Sequence, residues 1–560
     1  MTWTTPMSSE STKHQQTFDQ YNMSQQRNDE FIMAHSPMDE KKVEDFGIED
    51  IALENTHVQL KSELDALPIA KSAWIFRKTV LICAIAGFCA ATDGYQNTLS
   101  ASIIANAGFK KQFGGLVKGK YVIPAKHVST WGGLFSAGQV IGQFSIQWIS
   151  DWFGRKMAMY GFLFLLLISV IVESVSTVWW HWTIAKLIAG IGIGAVQATL
   201  PVYINEHAPT TLRGLLVVAY SLWFTAGGLF GAVALKARAT THPMDYKNMI
   251  YTQFAMIGLS AVIFFFLPES PWWLASKGKS AQAKKVLASK FSNVPEYDVD
   301  TEFAIIEATI ENQREFDKVS KSEGSLAMLK GLNLKRFLIG SFPKVLQQFV
   351  GLSIFSSYSS YFFQLAGNKD PFMVTVILSC CSLLAVVCDA LLVEKIGRRR
   401  MTLFGFTGAC VGILLMGIIG TQDYKNARLG AVLVVSGVIA NFCNTFQAKQ
   451  YFRFKARATG WGLAFCNLFA ICFNFVVPIM IAKWAVNAVW LFVCLGIPGT
   501  VLAYFIMPET SQRSAAEIQE MFVERVNLRK WRGHVTQVQK DLSAINGTEL
   551  RYRGQDEEAA

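Results

Sequence analysis

The sequence predicts an all-α polytopic membrane protein with twelve transmembrane helices. Apolar residues make up 51% of the 560 residues, with 41 Phe and 15 Trp among the aromatic side chains. They gather into long runs separated by charged or Gly/Pro-rich breaks, and a helix needs roughly 20 apolar residues to cross a bilayer core. Such runs lie near 79–102, 128–150, 157–178, 179–203, 214–236, 249–267, 337–365, 372–393, 401–420, 429–447, 459–482 and 486–507.

The segments outside these runs predict the topology. Residues 1–77 are polar and contain no apolar run that resembles a cleavable signal core, so we expect a disordered cytoplasmic tail. Lys71, Arg77 and Lys78 precede the first span and keep its N-terminus in the cytoplasm. Helical spacing at Ala281–Ser289 predicts short surface helices in the linker. The predicted divisions are a tail 1–77, a first half 78–270, a cytoplasmic linker 271–335, a second half 336–507 and a cytoplasmic tail 508–560.

The charge and cysteine patterns fit a membrane protein better than the alternatives. The net charge is +11, but the basic residues are scattered through tails and short loops. Cytoplasmic loops of membrane proteins carry such an excess of Lys and Arg. We therefore expect a lipid bilayer and no nucleic acid as partner. The loop 104–127 carries five lysines and breaks this bias. All ten cysteines fall inside apolar runs, so we interpret them as small core residues and not as disulfides.

An internal repeat divides the chain into two halves. Asp151-Trp-Phe-Gly-Arg-Lys156 returns as Glu394-Lys-Ile-Gly-Arg-Arg399, and Pro268-Glu-Ser-Pro271 returns as Pro508-Glu-Thr-Ser511. The offsets are 243 and 240 residues. Six spans that occur twice are typical of transporters whose halves enclose a site near the membrane midplane.

At these residues the chain resembles the sugar porter branch of the major facilitator superfamily, particularly the fungal hexose and α-glucoside permeases. The resemblance covers about residues 65–525. It implies the major facilitator fold with two six-helix repeats, and transport of a small-molecule sugar rather than an enzymatic reaction. Further matching signatures are Pro201-x-Tyr203-x-x-Glu206, Arg213-Gly214, Pro268-Glu-Ser-Pro-Trp-Trp-Leu274, Gln347-Gln348-x-x-Gly351, Glu517-Ile518 and Met521-Phe522.

The repeated Gly-Arg turns predict a cytoplasmic gate. A tight turn favours glycine, and the cations after it can pair with carboxylates at neighbouring helix ends. In the family this network latches the cytoplasmic side when the transporter faces outward. The alternative is that these cations only anchor the topology. The gate residues implied by the resemblance are Asp151, Arg155, Lys156, Glu206, Arg213, Glu394, Arg398, Arg399 and Arg457.

Asp93 is the candidate for proton coupling. It lies in an otherwise apolar span, where an ionised carboxylate is expensive unless it is paired or faces water. In proton-coupled relatives an aspartate at this place pairs with an arginine in the fourth span, where this chain has Lys186. Lysine keeps the charge but not the planar fork of arginine. The alternative is a helix-end residue near the outer surface.

Amide side chains inside the spans are the candidate sugar ligands, because sugar hydroxyls need groups that both donate and accept hydrogen bonds. Gln347 and Gln348 match the double glutamine of the family. Each amide could instead form an interhelical hydrogen bond, the commoner role in a bundle. Ser221 and Ser353 depart from the amides of the family pattern, so no particular sugar is predicted. The remaining candidates are Gln197, Gln253, Asn467 and Asn474.

Other chemistry is not indicated. The sequence has no phosphate-binding glycine loop, no metal-ligand cluster and no Ser/His/Asp arrangement, so we expect no catalytic residue, no metal and no cofactor. Glycine pairs Gly138/Gly142 and Gly190/Gly194 predict close helix packing. Two functions remain: a multi-pass proton-coupled sugar symporter of the plasma membrane, or a transport-impaired homologue that acts as a sugar sensor through its tails.

The tenth span departs from its repeat partner. An offset of 243 takes Glu206 to Lys449, and an offset of 244 takes Arg213 to Arg457, so the basic member is present and the acidic one is missing. The span Leu429–Gln447 has about 19 residues against about 25 in its partner. A shorter span can still insert. We expect the fold to survive and net transport to be weak or absent.

Overall fold

The structure is a computed structural model that describes residues 69–117, 119–209, 212–291, 294, 298–322, 331–368, 370–422, 427–446, 456–510, 513 and 515–537. This part of the chain is almost entirely helical, and its strands are limited to a short antiparallel hairpin that pairs Gly115–Val117 with Lys120–Val122. The hairpin and the short helix Ala107–Phe113 (α3) form most of the lysine-rich loop 104–127.

The first half contains six long helices in the positions that the apolar runs predict. A short helix Ile69–Ile75 (α1) precedes them, in a segment that the sequence assigns to the disordered tail. The long helices are Arg77–Ser102 (α2), Ala125–Phe153 (α4), Arg155–Val175 (α5), Trp179–His207 (α6), Arg213–Thr241 (α7) and Lys247–Phe266 (α8).

The linker and the second half follow. The linker forms Pro271–Ser276 (α9), Ser280–Phe291 (α10) and Val299–Ser322 (α11). The second half contains Gly331–Phe349 (α12), Leu352–Ser356 (α13), Ser359–Leu365 (α14), Pro371–Ile396 (α15), Arg398–Gly420 (α16), Ala427–Thr445 (α17), Ala456–Trp484 (α18) and Trp490–Ile506 (α19), and Ala515–Val523 (α20) comes after it.

The seventh predicted span is broken into three helices. Gly351 has a φ of +85°, a left-handed conformation that glycine adopts without strain, and it separates α12 from α13. A second break at Ser357 and Tyr358 leads into α14. Interrupted helices at membrane depth occur where the backbone lines a cavity or is covered by protein.

Eight stretches of the described helices are long and apolar enough to cross a membrane, and one of them, Phe465–Ile506, covers most of α18 and all of α19. The other three predicted spans are α2, α4 and the broken seventh segment, which carry polar residues such as Asp93, Gln143 and Gln348. The twelve-span, all-α architecture in two six-helix repeats is therefore confirmed.

The most extensive contacts between the two halves are those of α4 with α18 and of α7 with α15. Within the first half, α4 packs most closely on α6. A Cβ added at Gly142 would lie 2.1 Å from the carbonyl oxygen of Ile191, and one at Gly194 would lie 2.2 Å from that of Gln139. The predicted close approach of the glycine rows is confirmed.

The linker helices dock on the ends of the first half. Buried apolar side chains from α2, α6, α7, α9, α10 and α11 form one cluster there together with Phe76, which precedes α2; it includes Leu216, Trp273, Leu287 and Phe303. After the last span, Met521, Phe522 and Trp531 pack on Ile339 of α12. We call the face that carries the Gly154 and Gly397 turns and these docked segments the motif face.

Candidate functional site

The Gly-Arg turn before α5 anchors an ion pair on the motif face. The Arg155 Nη2 to Glu206 Oε1 distance is 2.9 Å, and Nε of Arg155 lies 3.2 and 3.1 Å from the two carboxylate oxygens. Nη1 also donates to Asp151 at 2.9 Å. Lys156 donates to the carbonyl of Phe265 at 3.0 Å. A multidentate guanidinium–carboxylate pair is stronger and more directional than a lysine pair, so it ties α5 to α6.

The two repeated phrases meet in space in both halves. Glu269 accepts hydrogen bonds from the first two backbone N–H groups of α5 at 3.0 and 3.1 Å. Glu509 accepts from the N–H groups of Arg398 and Arg399, the first two of α16, at 3.1 and 3.2 Å. Each carboxylate satisfies donors that a helix start leaves open and complements its dipole. Burial raises the pKa of Glu269, and these donors oppose the shift.

Sequence reasoning singled out both phrases but did not join them. The nearly equal offsets, 243 and 240 residues, were the available signal. For the remaining gate candidates the structure gives the helix but not the side-chain contacts. Arg213 is the first residue of α7. Glu394 and Arg457 lie in α15 and α18, but their side chains are outside the described part of the chain, as is Lys449.

Alanine at either turn glycine is expected to destabilise the protein. Gly154 and Gly397 have φ values of +103° and +95°, and an added Cβ would lie 2.6 Å from Glu269 Oε2 or 2.8 Å from Glu509 Oε2. Strain of this kind costs about 1–3 kcal/mol per site. The thermal unfolding temperature of Gly154→Ala and Gly397→Ala in detergent should therefore fall.

Gly161→Ala is the matched control, because Gly161 lies inside α5 with open space around its Cβ position. Alanine there should be neutral or stabilising by up to about 1 kcal/mol. Equal unfolding temperatures for Gly154→Ala and Gly161→Ala would show that the turn does not depend on a glycine in the left-handed conformation.

Asp93 is fully buried in α2 among neutral neighbours. Its Oδ2 accepts a hydrogen bond from Gln197 Nε2 at 3.2 Å and a long one from the hydroxyl of Tyr220 at 3.5 Å. Its Oδ1 is buried and has no hydrogen-bond partner among the described residues. Within the described part of the chain, no cation pairs with Asp93 to offset the desolvation of an ionised carboxylate.

Lys186 pairs with Glu173 rather than with Asp93. Its Nζ lies 2.8 Å from Glu173 Oε1 and donates to Ser100 Oγ at 2.7 Å. Gln253 donates to the other carboxylate oxygen of Glu173 at 3.0 Å. Glu173 is fully buried on α5, and sequence reasoning missed it. Glu173 and Lys186 are opposite charges inside consecutive apolar runs, and that balance was the available signal.

The expected contact between Asp93 and Lys186 is absent because the two residues lie at different depths. Asp93 is level with Gln197, which is eleven residues beyond Lys186 on α6. Eleven residues of helix rise about 16 Å, well beyond the reach of the two side chains. Lys186 instead balances Glu173 on the side of the bundle away from the motif face.

The candidate amides of the first half bind other protein groups in this structure. Gln197 donates to Asp93 and accepts from Gln143 Nε2 at 3.2 Å. Gln253 donates to Glu173. Gln143, on α4, was not among the candidates.

The candidate amides of the second half also form hydrogen bonds with protein groups. Gln347 donates to the carbonyl of Asn444 at 3.2 Å, and Gln348 accepts from Ser353 at 3.4 Å. Asn467 donates to Gln143 Oε1 at 2.9 Å. Two of the six candidates, Gln197 and Asn467, are thereby brought into one hydrogen-bonded row.

The two halves touch on the face opposite the motif face. Asn474 Nδ2 donates to Ser136 Oγ at 2.6 Å, and Gln364 donates to the carbonyl of Ala105 at 3.2 Å. Lys236 and Asp370 form an ion pair between α7 and the start of α15. A small cavity lies between the halves next to these contacts, lined by residues that include Asn97, Ser100, Trp131, Lys186, Tyr358 and Asn474.

Among the described residues no group of His, Cys, Asp and Glu side chains could hold a metal ion, and all ten cysteines are free. A membrane bundle of two similar six-helix halves with polar side chains between them is the architecture of a major facilitator transporter.

Comparison with known proteins places the chain within this class. Residues 82–522 match the family described as Sugar (and other) transporter, and the chain belongs to that family. It is a multi-pass membrane protein of a family of transporters and not an enzyme.

The individual relatives have low sequence identity to this chain. The low-affinity glucose transporter HXT3 of Saccharomyces cerevisiae is 26% identical over 475 residues, which cover 80% of this chain and 83% of HXT3. Two solved structures share the fold: the xylose transporter XylE of E. coli in a partially occluded inward-open conformation (TM-score 0.61, 19% identity, 79% of this chain and 100% of that one), and the proton:xylose symporter XylE bound to 6-bromo-6-deoxy-D-glucose (TM-score 0.62, 20% identity, 80% and 99%).

Proposed function

We propose that the chain is a symporter that carries a hexose or an α-glucoside together with a proton across the plasma membrane by alternating access. The observation that carries the proposal is the buried Asp93, surrounded by neutral groups at the end of a row of amides that crosses between the halves. A carboxyl group in such a place binds or releases a proton when its surroundings change.

The family and the relatives support the substrate class. HXT3 is named as a glucose transporter, and XylE is named as a proton:xylose symporter. Hydroxyl-rich substrates suit amide ligands, which offer a donor and an acceptor on one flat group. We propose that sugar hydroxyls replace the present protein partners of Gln347, Gln348, Gln197, Gln253, Asn467 and Asn474.

In this proposal the motif face is cytoplasmic, together with residues 1–77, the linker and residues 508–560. The Arg155–Glu206 pair braces the gate of the first half, and the Glu509 contacts brace that of the second. The proton role rests on Asp93. Lys186 neutralises the charge of Glu173. It lies too far from Asp93 to pair with it.

Asp93→Asn is expected to abolish uphill accumulation of sugar while leaving downhill exchange. The asparagine keeps the size of the side chain and a hydrogen bond to Gln197, but it cannot take up a proton. Uptake of labelled D-glucose and of a panel of other sugars in a yeast strain without its own hexose carriers is the measurement.

Asp245→Asn is the matched control, since Asp245 is an exposed carboxylate in the loop between α7 and α8 and its loss should leave accumulation against a gradient possible. If Asp93→Asn concentrated sugar with wild-type pH dependence, the proton role of Asp93 would be excluded.

A second candidate function is that of a sugar-binding sensor with little net transport. The observation that favours it is the short α17, with 19 residues against 29 in its repeat partner α6. Uptake at the rate of an intact sugar porter expressed to the same level would exclude this candidate. Saturable glucose binding without uptake would favour it.

A further inference from the structure

A row of three amides links Asp93 to the second half. Gln197 Nε2 donates to Asp93 Oδ2 at 3.2 Å, Gln143 Nε2 donates to Gln197 Oε1 at 3.2 Å, and Asn467 Nδ2 donates to Gln143 Oε1 at 2.9 Å. The row starts on α2, passes through α6 and α4, and ends on α18 in the other half. We call these four residues the amide row.

The four residues of the amide row differ in their exposure to solvent. Asp93 and Gln143 are buried, whereas Gln197 and Asn467 are partly exposed. Asn467 Oδ1 accepts no hydrogen bond from the described residues. As far as the described residues extend, the row therefore ends in the second half on an acceptor that no protein donor uses.

The direction of every hydrogen bond in the row depends on the group at its start. An ionised carboxylate only accepts, so each amide must present its NH2 group toward Asp93. A protonated Asp93 can donate to Gln197 Oε1. Each amide then turns over, and the last one presents N–H instead of oxygen. Linked hydrogen bonds polarise one another, which favours a concerted reversal.

We propose that Gln143 is a positioning residue that transmits the protonation state of Asp93 to Asn467, so that proton binding in one half sets whether Asn467 offers a sugar hydroxyl a donor or an acceptor. This inference rests on the proposed proton and sugar binding. It adds the physical link between the two sites.

The titratable and charged groups near Asp93 do not provide another path by which its protonation state could reach the second half. Among the described residues, Tyr220 of α7 is the titratable side chain that contacts it, at 3.5 Å. Cys89, one turn earlier on α2, faces Ser260 of α8. The buried charges Glu173 of α5 and Lys186 of α6 bind each other.

The first test measures linkage between proton and sugar. Binding of two ligands is coupled reciprocally, so the half-saturating D-glucose concentration for exchange in proteoliposomes should differ between acid and neutral pH. Gln143→Met fills the same space without hydrogen bonds. Its ratio of half-saturating concentrations at the two pH values should fall to about one while exchange persists.

Gln197→Met should give the same loss, and Gln112→Met is the control, because Gln112 is an exposed amide that donates to the carbonyl of Thr177. A wild-type pH dependence in Gln143→Met would overturn the inference.

The second test needs no sugar, and its decisive measurement is made on the wild-type protein. The acid-minus-neutral infrared difference spectrum of the wild-type protein, prepared with isotope-labelled glutamine and asparagine, should contain a carboxyl band together with label-sensitive side-chain amide bands. Loss of both bands in Asp93→Asn would assign them. A carboxyl band without amide bands would overturn the amide row and leave proton binding at Asp93 intact. Absence of both bands from the wild type would overturn the proton step and the row together.

Discussion

Replacing Glu173 by glutamine is expected to destabilise the first half by about 3–5 kcal/mol, the usual cost of removing one partner from a buried ion pair. The carboxylate of Glu173 accepts hydrogen bonds from Lys186, Gln96, Gln253 and Ser169. Glutamine keeps the shape but leaves the Lys186 ammonium, which is 2% exposed, without a counter-charge.

Lys186→Met should cost a similar amount, because it leaves an unpaired carboxylate. The double variant Glu173→Gln/Lys186→Met should recover much of the loss, since replacing both members of a buried pair is often neutral. Thermal unfolding in detergent, followed by tryptophan fluorescence, measures all three variants as a double-mutant cycle.

Lys284→Met is the control for the loss of a lysine salt bridge. Lys284 pairs with Asp300 at 2.5 Å on the surface of the linker, where such pairs contribute about 0–1 kcal/mol. If Glu173→Gln and Lys284→Met had equally small effects, the Glu173–Lys186 pair would not be a buried electrostatic unit.

The helices could be predicted from the sequence because the bilayer imposes their length and polarity. Each apolar run corresponds to helix within a few residues at its ends, and the helical spacing at Ala281–Ser289 corresponds to α10. The break in the seventh span could not be located in the same way, because hydropathy is unchanged across it. It depends on the left-handed backbone at Gly351.

The contacts between site residues were harder to predict from the sequence, since hydropathy shows which residues are in the membrane but not which helix faces meet. Arg155 and Glu206 were expected near each other from the resemblance, and they are in contact. Lys186 was expected near Asp93, but the depth of each residue along α2 and α6 separates them. Gln143 gave no signal, because one amide on a polar helix such as α4 is unremarkable until its neighbours are known.

A second large effect is expected at Lys290, near the end of α10 on the motif face. Its side chain is 4% exposed, and among the described residues it has no hydrogen bond or ion pair. The groups that face it are Cys83 on α2 and Glu206 and His207 on α6. Burial lowers the pKa of Lys290 from 10.5 to about 7.

The sign of the resulting pH dependence follows from proton binding. Between about pH 7 and 10.5, an undocked α10 carries a proton on Lys290 that the docked helix lacks. Docking therefore strengthens as the pH rises through this window, by up to about 1.4 kcal/mol per pH unit. Below it the full penalty of burying the charge applies.

Hydrogen exchange of residues 280–291, corrected for intrinsic rates and expressed as a free energy of opening, measures this docking at about pH 7 and about pH 9. The wild-type value should rise with pH. Lys290→Met should raise the value at the lower pH and remove the dependence, because methionine fills the site without a charge to desolvate. Lys285→Met is the matched control, since Lys285 is exposed on the same helix and its loss should leave the wild-type slope. A slope that persisted in Lys290→Met would show that another group controls the docking of α10.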